Sequence, residues 1–242
     1  MPVAYLSEVF GSVQGEGMGA GVPAVFLRFA GCNLACDYCD TPAARTRPRA
    51  FSMQSETAFD RVGNPIECSD LIRVIEQRFR SQRLVVFTGG EPLLQPSAVR
   101  CMGEGLKAGG LKIHLETNGT LPEALREVRD TVDFVGMDIK LPSTQGGRDF
   151  GDLHRVFLQA LEDGRAAVKV VVPGGSSDRE VLDAVRLIAD VNHTLPVFLQ
   201  PVFVGAQPQV EGGRLLRLLA EASRWLDDVR ISVQIHKILG IN

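Results

Sequence analysis

Three thiols stand close together in Gly31-Cys32-Asn33-Leu34-Ala35-Cys36-Asp37-Tyr38-Cys39, with the spacing C-x3-C-x2-C. The segment follows directly on residues 24–29, an apolar run that reads as a strand. A loop this tight can turn three thiolates toward one point, and thiolates suit zinc or iron–sulfur centres. Structural zinc sites usually close with four ligands, and the nearby fourth candidate is Asp40, since no other cysteine or histidine lies close. A [4Fe–4S] cluster held by three cysteines instead leaves one iron open to a substrate. A second segment, Thr88-Gly89-Gly90-Glu91-Pro92, ends another short apolar strand at residues 84–87. Glycines let a backbone approach a ligand closely, and exposed carbonyls and Glu91 can accept from an ammonium group.

These residues need a scaffold, and the rest of the chain supplies an alternating pattern. Strands are predicted over residues 24–29, 84–87, 112–115, 134–137, 166–172, 197–200 and 230–234. Helices are predicted from Ser69, as N-cap, through Arg80, after Pro96, over 153–162, from Ser177 or Asp178 through Asp190, and over 213–224. Strand–helix alternation of this kind makes a parallel sheet with right-handed crossovers, closed or open. Polar residues cluster just after the strands: Thr88 to Glu91, Glu116-Thr117-Asn118, Asp138 to Ser143, and Gln200-Pro201. Taken singly they read as turns, but ligands of such sheets bind at the carboxyl ends of the strands. Residues 45–65 are the least periodic and read as a loop or insertion.

Bulk properties set limits. The chain has 242 residues, 45% hydrophobic and 23% charged, enough to bury a core as one domain. A net charge of -3 argues against general nucleic-acid or membrane binding. No apolar run approaches the length of a membrane span, and the first ten residues lack signal-peptide character, so a cytoplasmic protein is expected. Five cysteines, an odd number, fit a metal centre better than a disulfide framework. Cys68 and Cys101 fall outside every motif and read as ordinary thiols.

The cysteine spacing, with an aromatic residue before the last thiol, resembles the radical S-adenosylmethionine superfamily. Gly89-Gly90-Glu91-Pro92 resembles that superfamily's Gly-Gly-Glu-Pro motif. The resemblance implies a [4Fe–4S] cluster on Cys32, Cys36 and Cys39 whose open iron chelates S-adenosylmethionine, and a 5′-deoxyadenosyl radical that abstracts hydrogen. Further segments narrow it. Gln14-Gly15-Glu16-Gly17, Arg28, Asp40-Thr41-Pro42 and Ser232-Val233-Gln234-Ile235-His236-Lys237 together resemble the family of 7-carboxy-7-deazaguanine synthases, over residues 8–240.

That family implies an α/β fold, a partial, shortened parallel β/α barrel of the radical SAM type, as a single domain. It implies a lyase reaction that converts 6-carboxy-5,6,7,8-tetrahydropterin to 7-carboxy-7-deazaguanine, a ring contraction with loss of ammonia on the route to queuosine. It implies Mg²⁺ as a further cofactor, a homodimer, and a flavodoxin or ferredoxin-type electron donor. By resemblance, Thr41 is the Mg²⁺ contact with Asp40 behind it. Gly89, Gly90, Glu91, Thr117, Asn118, Lys140, Ser143 and Gln200 face S-adenosylmethionine, with Val172-Pro173 and Gln200-Pro201 on the adenine side. Gln14, Glu16, Arg28, Thr88, Gln234 and His236 face the pterin. The chemistry fits: Glu16 can accept from the pterin's donor edge, Gln14 can donate and accept, and the planar fork of Arg28 suits a carboxylate. Arg28 also reads as a strand-face salt bridge, His236 as a structural histidine and Asp40 as a turn residue. Two rival functions stand beside this one. A glycyl-radical-enzyme activase carries a similar cysteine loop but tends to show Asp-Gly-Pro-Gly where this chain has Gln14-Gly15-Glu16-Gly17. A non-enzymatic zinc or iron–sulfur module would use the thiols alone.

Overall fold

The computed structural model of the chain describes residues 2–56, 58–162 and 164–241. Its frame is a ten-stranded sheet, numbered here in chain order. The strands are β1 (Leu6–Val13), β2 (Pro23–Phe29), β3 (Ala50–Gln54), β4 (Phe59–Gly63), β5 (Leu84–Gly89), β6 (Lys112–Thr117), β7 (Phe134–Ile139), β8 (Ala166–Val172), β9 (Val197–Pro201) and β10 (Val229–Ile231). They lie in the order β10-β9-β8-β7-β6-β5-β2-β1-β3-β4. Every pairing from β2 to β10 is parallel, so the core is the expected partial barrel, left open between its two edges.

Helices α1 (Cys68–Arg78), α2 (Pro96–Ala108), α3 (Pro122–Val128), α4 (Gly151–Leu158), α5 (Asp178–Asn192) and α6 (Gly212–Ala222) follow the strands and cover one face. A short α7 (Ile235–Leu239) ends the described chain. No described helix is long and apolar enough to cross a membrane. Leu71 and Ile75 of α1, Val99, Met102 and Leu106 of α2, and Val181, Val185 and Ile188 of α5 form helical stripes against Val85, Phe87, Ile113, Leu115, Val168 and Val170 of the sheet. The period-2 alternation of strand side chains sends their neighbours to the other, concave face. There Phe10, Ala24, Phe26 and Val86 form a small separate cluster, with the Phe10 and Phe26 rings stacked at 5.2 Å.

Several sequence expectations need correction. Residues 45–65 are not a plain loop: β3 and β4 form an antiparallel hairpin that joins the sheet through parallel pairing of β3 with β1. Their alternation is short and sits among turn residues, so it carries little signal. β1 itself was not foreseen. It pairs antiparallel with β2, with a register shift between Leu6 and Glu8 that interrupts the pattern. Ser69 lies inside α1, whose N-cap is Glu67, whereas Ser177 does cap α5 by accepting from the Glu180 N–H. Residues 159–162 lie beyond α4, which stops at Leu158. β10 ends at Ile231, so Gln234 stands at the start of α7 rather than in a strand.

The aromatic pair Phe29 and Phe87, edge to face at 5.6 Å and fully buried, ties β2 to β5 beneath the cysteine loop. Phe87→Ala is expected to cost about 3–5 kcal/mol through lost burial and the cavity left behind, read as a lowered denaturant midpoint.

Candidate active site

The polar residues after the strands converge on one cavity at the open, concave side of the sheet. Its wall includes Cys32, Cys36 and Cys39 together with Asp40 and Thr41, then Thr88, Gly89, Gly90, Glu91, Thr117, Asn118, Lys140 and Gln200. Gln14, Glu16, Arg28, Gln234 and His236 complete it. Every sequence-predicted site residue is brought there except Ser143, Val172 and Pro173, which line no part of it. The Ser143 N–H and hydroxyl both donate to the Glu180 carboxylate, each at 2.7 Å, so it joins its turn to α5 instead. On the adenine side the alternation of β8 presents Val171, not Val172, whose side chain packs in the helix-side core.

The cysteine loop is held from two sides. The Glu91 N–H donates to the Gly31 carbonyl at 2.8 Å and the Gly90 N–H to Phe29 at 3.0 Å. A Cβ on Gly90 would lie 2.1 Å from the Gly31 oxygen and 2.7 Å from the Ala44 oxygen, so only glycine permits this approach. From the other side, Asn118 Nδ2 donates to Asn33 Oδ1 at 2.9 Å, and Asn33 Nδ2 donates to Thr120 Oγ1 at 2.8 Å.

Glu91 is buried, and its oxygens accept from the Leu93 N–H at 3.0 Å, the Thr117 hydroxyl at 2.9 Å and the Asn118 N–H at 2.8 Å. Burial pushes its carboxyl up to about 7 even against those donors. Glu91, Thr117 and Asn118 thus brace the site as well as line it. This was not visible in sequence, where each was expected only to face the cofactor.

The structure adds residues that sequence reasoning missed: Tyr38, Glu116, Asp138, Lys169 and Lys237 also line the cavity. Glu116 accepts from Gln14 Nε2 and from the Thr88 hydroxyl, each at 2.8 Å. Lys140 donates to Asp138 at 2.9 Å and to the Tyr38 hydroxyl at 3.3 Å, and Lys237 pairs with Asp40 at 3.1 Å. Lys169 is ion-paired with Glu16, and with Asp138 at 3.2 Å. The signal for Lys169 was one cation in the otherwise Ala/Val strand Ala166–Val172. Glu116 and Asp138 lay inside the flagged strand-end clusters.

Arg28 forms the strand-face salt bridge, with Glu8 at 3.5 Å across β1 and β2, and it also lines the cavity. Three buried polar atoms make no hydrogen bond among the described residues: Arg28 Nε, which lies 3.5 Å from the Glu8 carboxylate, His114 Nε2 and Gln200 Oε1. Such atoms are costly to bury. Gln200 Oε1, of a cavity-wall residue, has no polar partner among the described residues, whereas Arg28 Nε faces the Glu8 carboxylate. His236 is packed on the Gly15 backbone, where a Cβ would come 2.2 Å from its Nδ1.

Among the described residues, no three His, Cys, Asp or Glu side chains converge as one ion would need. The three thiols instead share the wall of one cavity, an arrangement that suits a larger multinuclear group with an open side. Burial raises the Cys32 thiol, an effect that thiolate ligation to iron would overcome. Gly90→Ala is expected to displace the cysteine loop. Iron bound after anaerobic reconstitution should fall well below that of the unmodified protein while the circular dichroism spectrum stays the same.

Comparison with known proteins agrees with this geometry. Residues 27–198 match the Radical SAM superfamily. The 7-carboxy-7-deazaguanine synthase of Geobacter sulfurreducens is 41% identical over 246 residues, spanning 99% of this chain and 98% of its own. That of Methanopyrus kandleri is 34% identical, spanning 98% of this chain and 94% of its own. Among solved structures, QueE from Escherichia coli superposes with a TM-score of 0.67 at 24% identity, over 97% of this chain and 95% of its own, a likeness of fold. The chain therefore belongs to the Radical SAM superfamily and, within it, to the 7-carboxy-7-deazaguanine synthase family.

Proposed function

We propose that this chain converts 6-carboxy-5,6,7,8-tetrahydropterin into 7-carboxy-7-deazaguanine, as a carbon–nitrogen lyase in queuosine and related 7-deazapurine synthesis. Membership of the superfamily implies a [4Fe–4S] cluster and S-adenosylmethionine. When bound, they supply a 5′-deoxyadenosyl radical. Cys32, Cys36 and Cys39 would hold the cluster, and Gly89, Gly90, Lys140 and Gln200 would face S-adenosylmethionine.

The observation that carries the reading is one cavity that joins the cysteine wall to a polar wall matched to a pterin. Burial alone would raise the Glu16 carboxyl. The Lys169 ammonium, with hydrogen bonds from Lys169, Gln234 and Gln200, outweighs burial and holds it down to about 2. Glu16 is therefore ionised at neutral pH and suited to accept from the N–H edge of a pterin. Gln14 steadies that edge site: its amide donates to Glu116, and its oxygen accepts from the Glu16 N–H at 3.3 Å. Arg28, whose Nε faces Glu8, lines the cavity and would offer the rest of its guanidinium to the substrate carboxylate. Holding both ends of the substrate fixes the ring between them and excludes water from the reacting carbon.

Mg²⁺ belongs to the same reading. Thr41, in the wall two residues beyond Cys39, offers a hard oxygen, and a metal that keeps several waters needs few protein ligands. Asp40 is engaged by Lys237 and does not support a direct contact. The reading also carries a homodimer and a flavodoxin or ferredoxin-type donor, which rest on the family resemblance.

The test is anaerobic: reconstituted enzyme, a chemical reductant, S-adenosylmethionine and the carboxytetrahydropterin, with product followed by mass spectrometry. Formation of 7-carboxy-7-deazaguanine with ammonia release is expected; substrate recovered intact would reject the reading. Thr41→Ala is expected to blunt the response of the rate to added Mg²⁺ while the cluster remains. A metal response equal to that of the unmodified enzyme would remove Thr41 from the site.

A further inference from the structure

Lys169 is the charge at the centre of the concave face. It sits midway along β8, between apolar neighbours, and is fixed from two sides by Glu16 and Asp138. Glu16 comes from the connection between β1 and β2, far from β8 in sequence. That connection is anchored to the end of the chain, since the Ile235 N–H donates to the Gly15 carbonyl at 3.0 Å and the Gly17 N–H to the Ser232 hydroxyl at 3.3 Å. Gln234 Nε2 donates to Glu16 Oε1 at 2.7 Å, leaving Oε2 to Lys169. Asp138 in turn holds Lys140, so a chain of alternating charge runs Glu16–Lys169–Asp138–Lys140 and ends at the Tyr38 hydroxyl beside the cysteines.

We propose that Lys169 is a positioning residue for pterin binding: its ammonium, anchored on Asp138, keeps the Glu16 carboxylate charged and aimed into the cavity. The proposal rests on the pterin reading above. Without a cation at this place, a carboxylate so enclosed would take up a proton and could no longer accept two N–H donors. The groups facing Glu16 are Lys169 on β8, Gln200 on β9, Gln234 before α7 and Gln14 in its own loop, so Lys169 is the one cation among them. Facing Lys169 are Asp138 on β7, Glu16 and, at longer range, Glu116 on β6. Burial would lower the lysine, but these three carboxylates raise it well above its ordinary value. It therefore serves as a fixed charge and not as a proton donor. His114, beside Gln14, is driven neutral mainly by burial and adds no second cation.

The experiment compares Lys169→Gln, which keeps a donor but removes the charge, with Lys169→Arg, which keeps the charge. For Lys169→Gln the pterin KM is expected to rise about 10- to 100-fold, as for loss of a buried charge partner, with a much smaller fall in kcat. Its kcat/KM should also fall as pH drops through a Glu16 pKa now raised above the ordinary carboxylate range. Lys169→Arg should restore most of the KM and keep the pH profile of the unmodified enzyme. Anaerobic calorimetric titration of the pterin into cluster-loaded protein with S-adenosylmethionine should show the same loss in Kd. An unchanged KM and pH profile in Lys169→Gln, or a loss confined to kcat, would overturn the proposal. If Lys169→Gln does not fold, the unmodified enzyme and Lys169→Arg still decide. Glu91, with its carboxyl at about 7, titrates in both alike, so the profile of Lys169→Arg must match that of the unmodified enzyme from about pH 8 to about pH 6, and a carboxylate-like rise in pterin KM found in Lys169→Arg alone refutes a fixed cation. Failure of the unmodified enzyme to turn over the pterin rejects the function itself; turnover with an indifferent Lys169→Gln rejects only this inference.

Discussion

The contact on which the site depends is between two backbones: the Gly89–Gly90–Glu91 turn lying against Gly31. The Glu91 N–H on the Gly31 carbonyl couples the end of β5 to the first residues of the cysteine loop. Because Gly90 has no Cβ, the two chains meet closer than any side chain would allow. The Glu91 carboxylate then reaches the other way and closes on the end of β6 through Thr117 and Asn118. The cysteine loop, the glycine turn and the next strand end form one rigid unit. Rigidity matters because a site that generates a reactive radical must hold its parts in register.

The concave face obeys a second constraint, charge balance in a confined space. Strand alternation delivers Arg28, Thr88, Glu116, Asp138, Lys169 and Gln200 to one surface, while their neighbours pack under the helices. Charges enclosed this way are costly unless each faces an opposite charge or a hydrogen-bond donor. Here Glu16, Lys169, Asp138 and Lys140 alternate in sign, and Glu116 is satisfied by Gln14 and Thr88. Arg28, whose Nε faces Glu8, and Gln200, whose Oε1 has no hydrogen-bond partner among the described residues, line the same cavity.

The open edges of the parallel sheet explain the parts of the chain that lie outside the βα pattern. β1 runs against its neighbour, and the connection after it crosses the gap to reach Lys169, Ser232 and Gln234. The His236 ring rests on the Gly15 backbone, so the two ends of the chain meet at the cavity. The β3–β4 hairpin extends the sheet beyond β1, and none of its described residues lines the cavity.

The amino-acid sequence by itself determined the cysteine spacing, the glycine turn and the strand–helix alternation, because each is a local pattern of residue type and period. Those patterns carried the resemblance to the superfamily, and the resemblance pointed to much of the cavity wall but not to Tyr38, Glu116, Asp138, Lys169 or Lys237. They were silent on partners. That Ser143 turns away to Glu180, that Glu91 is consumed as a brace and that Lys169 stands between Glu16 and Asp138 are outcomes of strand register and of contacts between residues far apart in the chain. The hairpin at residues 45–65 was illegible for a related reason: its strands owe their existence to pairing with β1, a long-range interaction that no short window of sequence contains. Only the tertiary structure decided which of the candidate side chains were free to meet a ligand and which were already held.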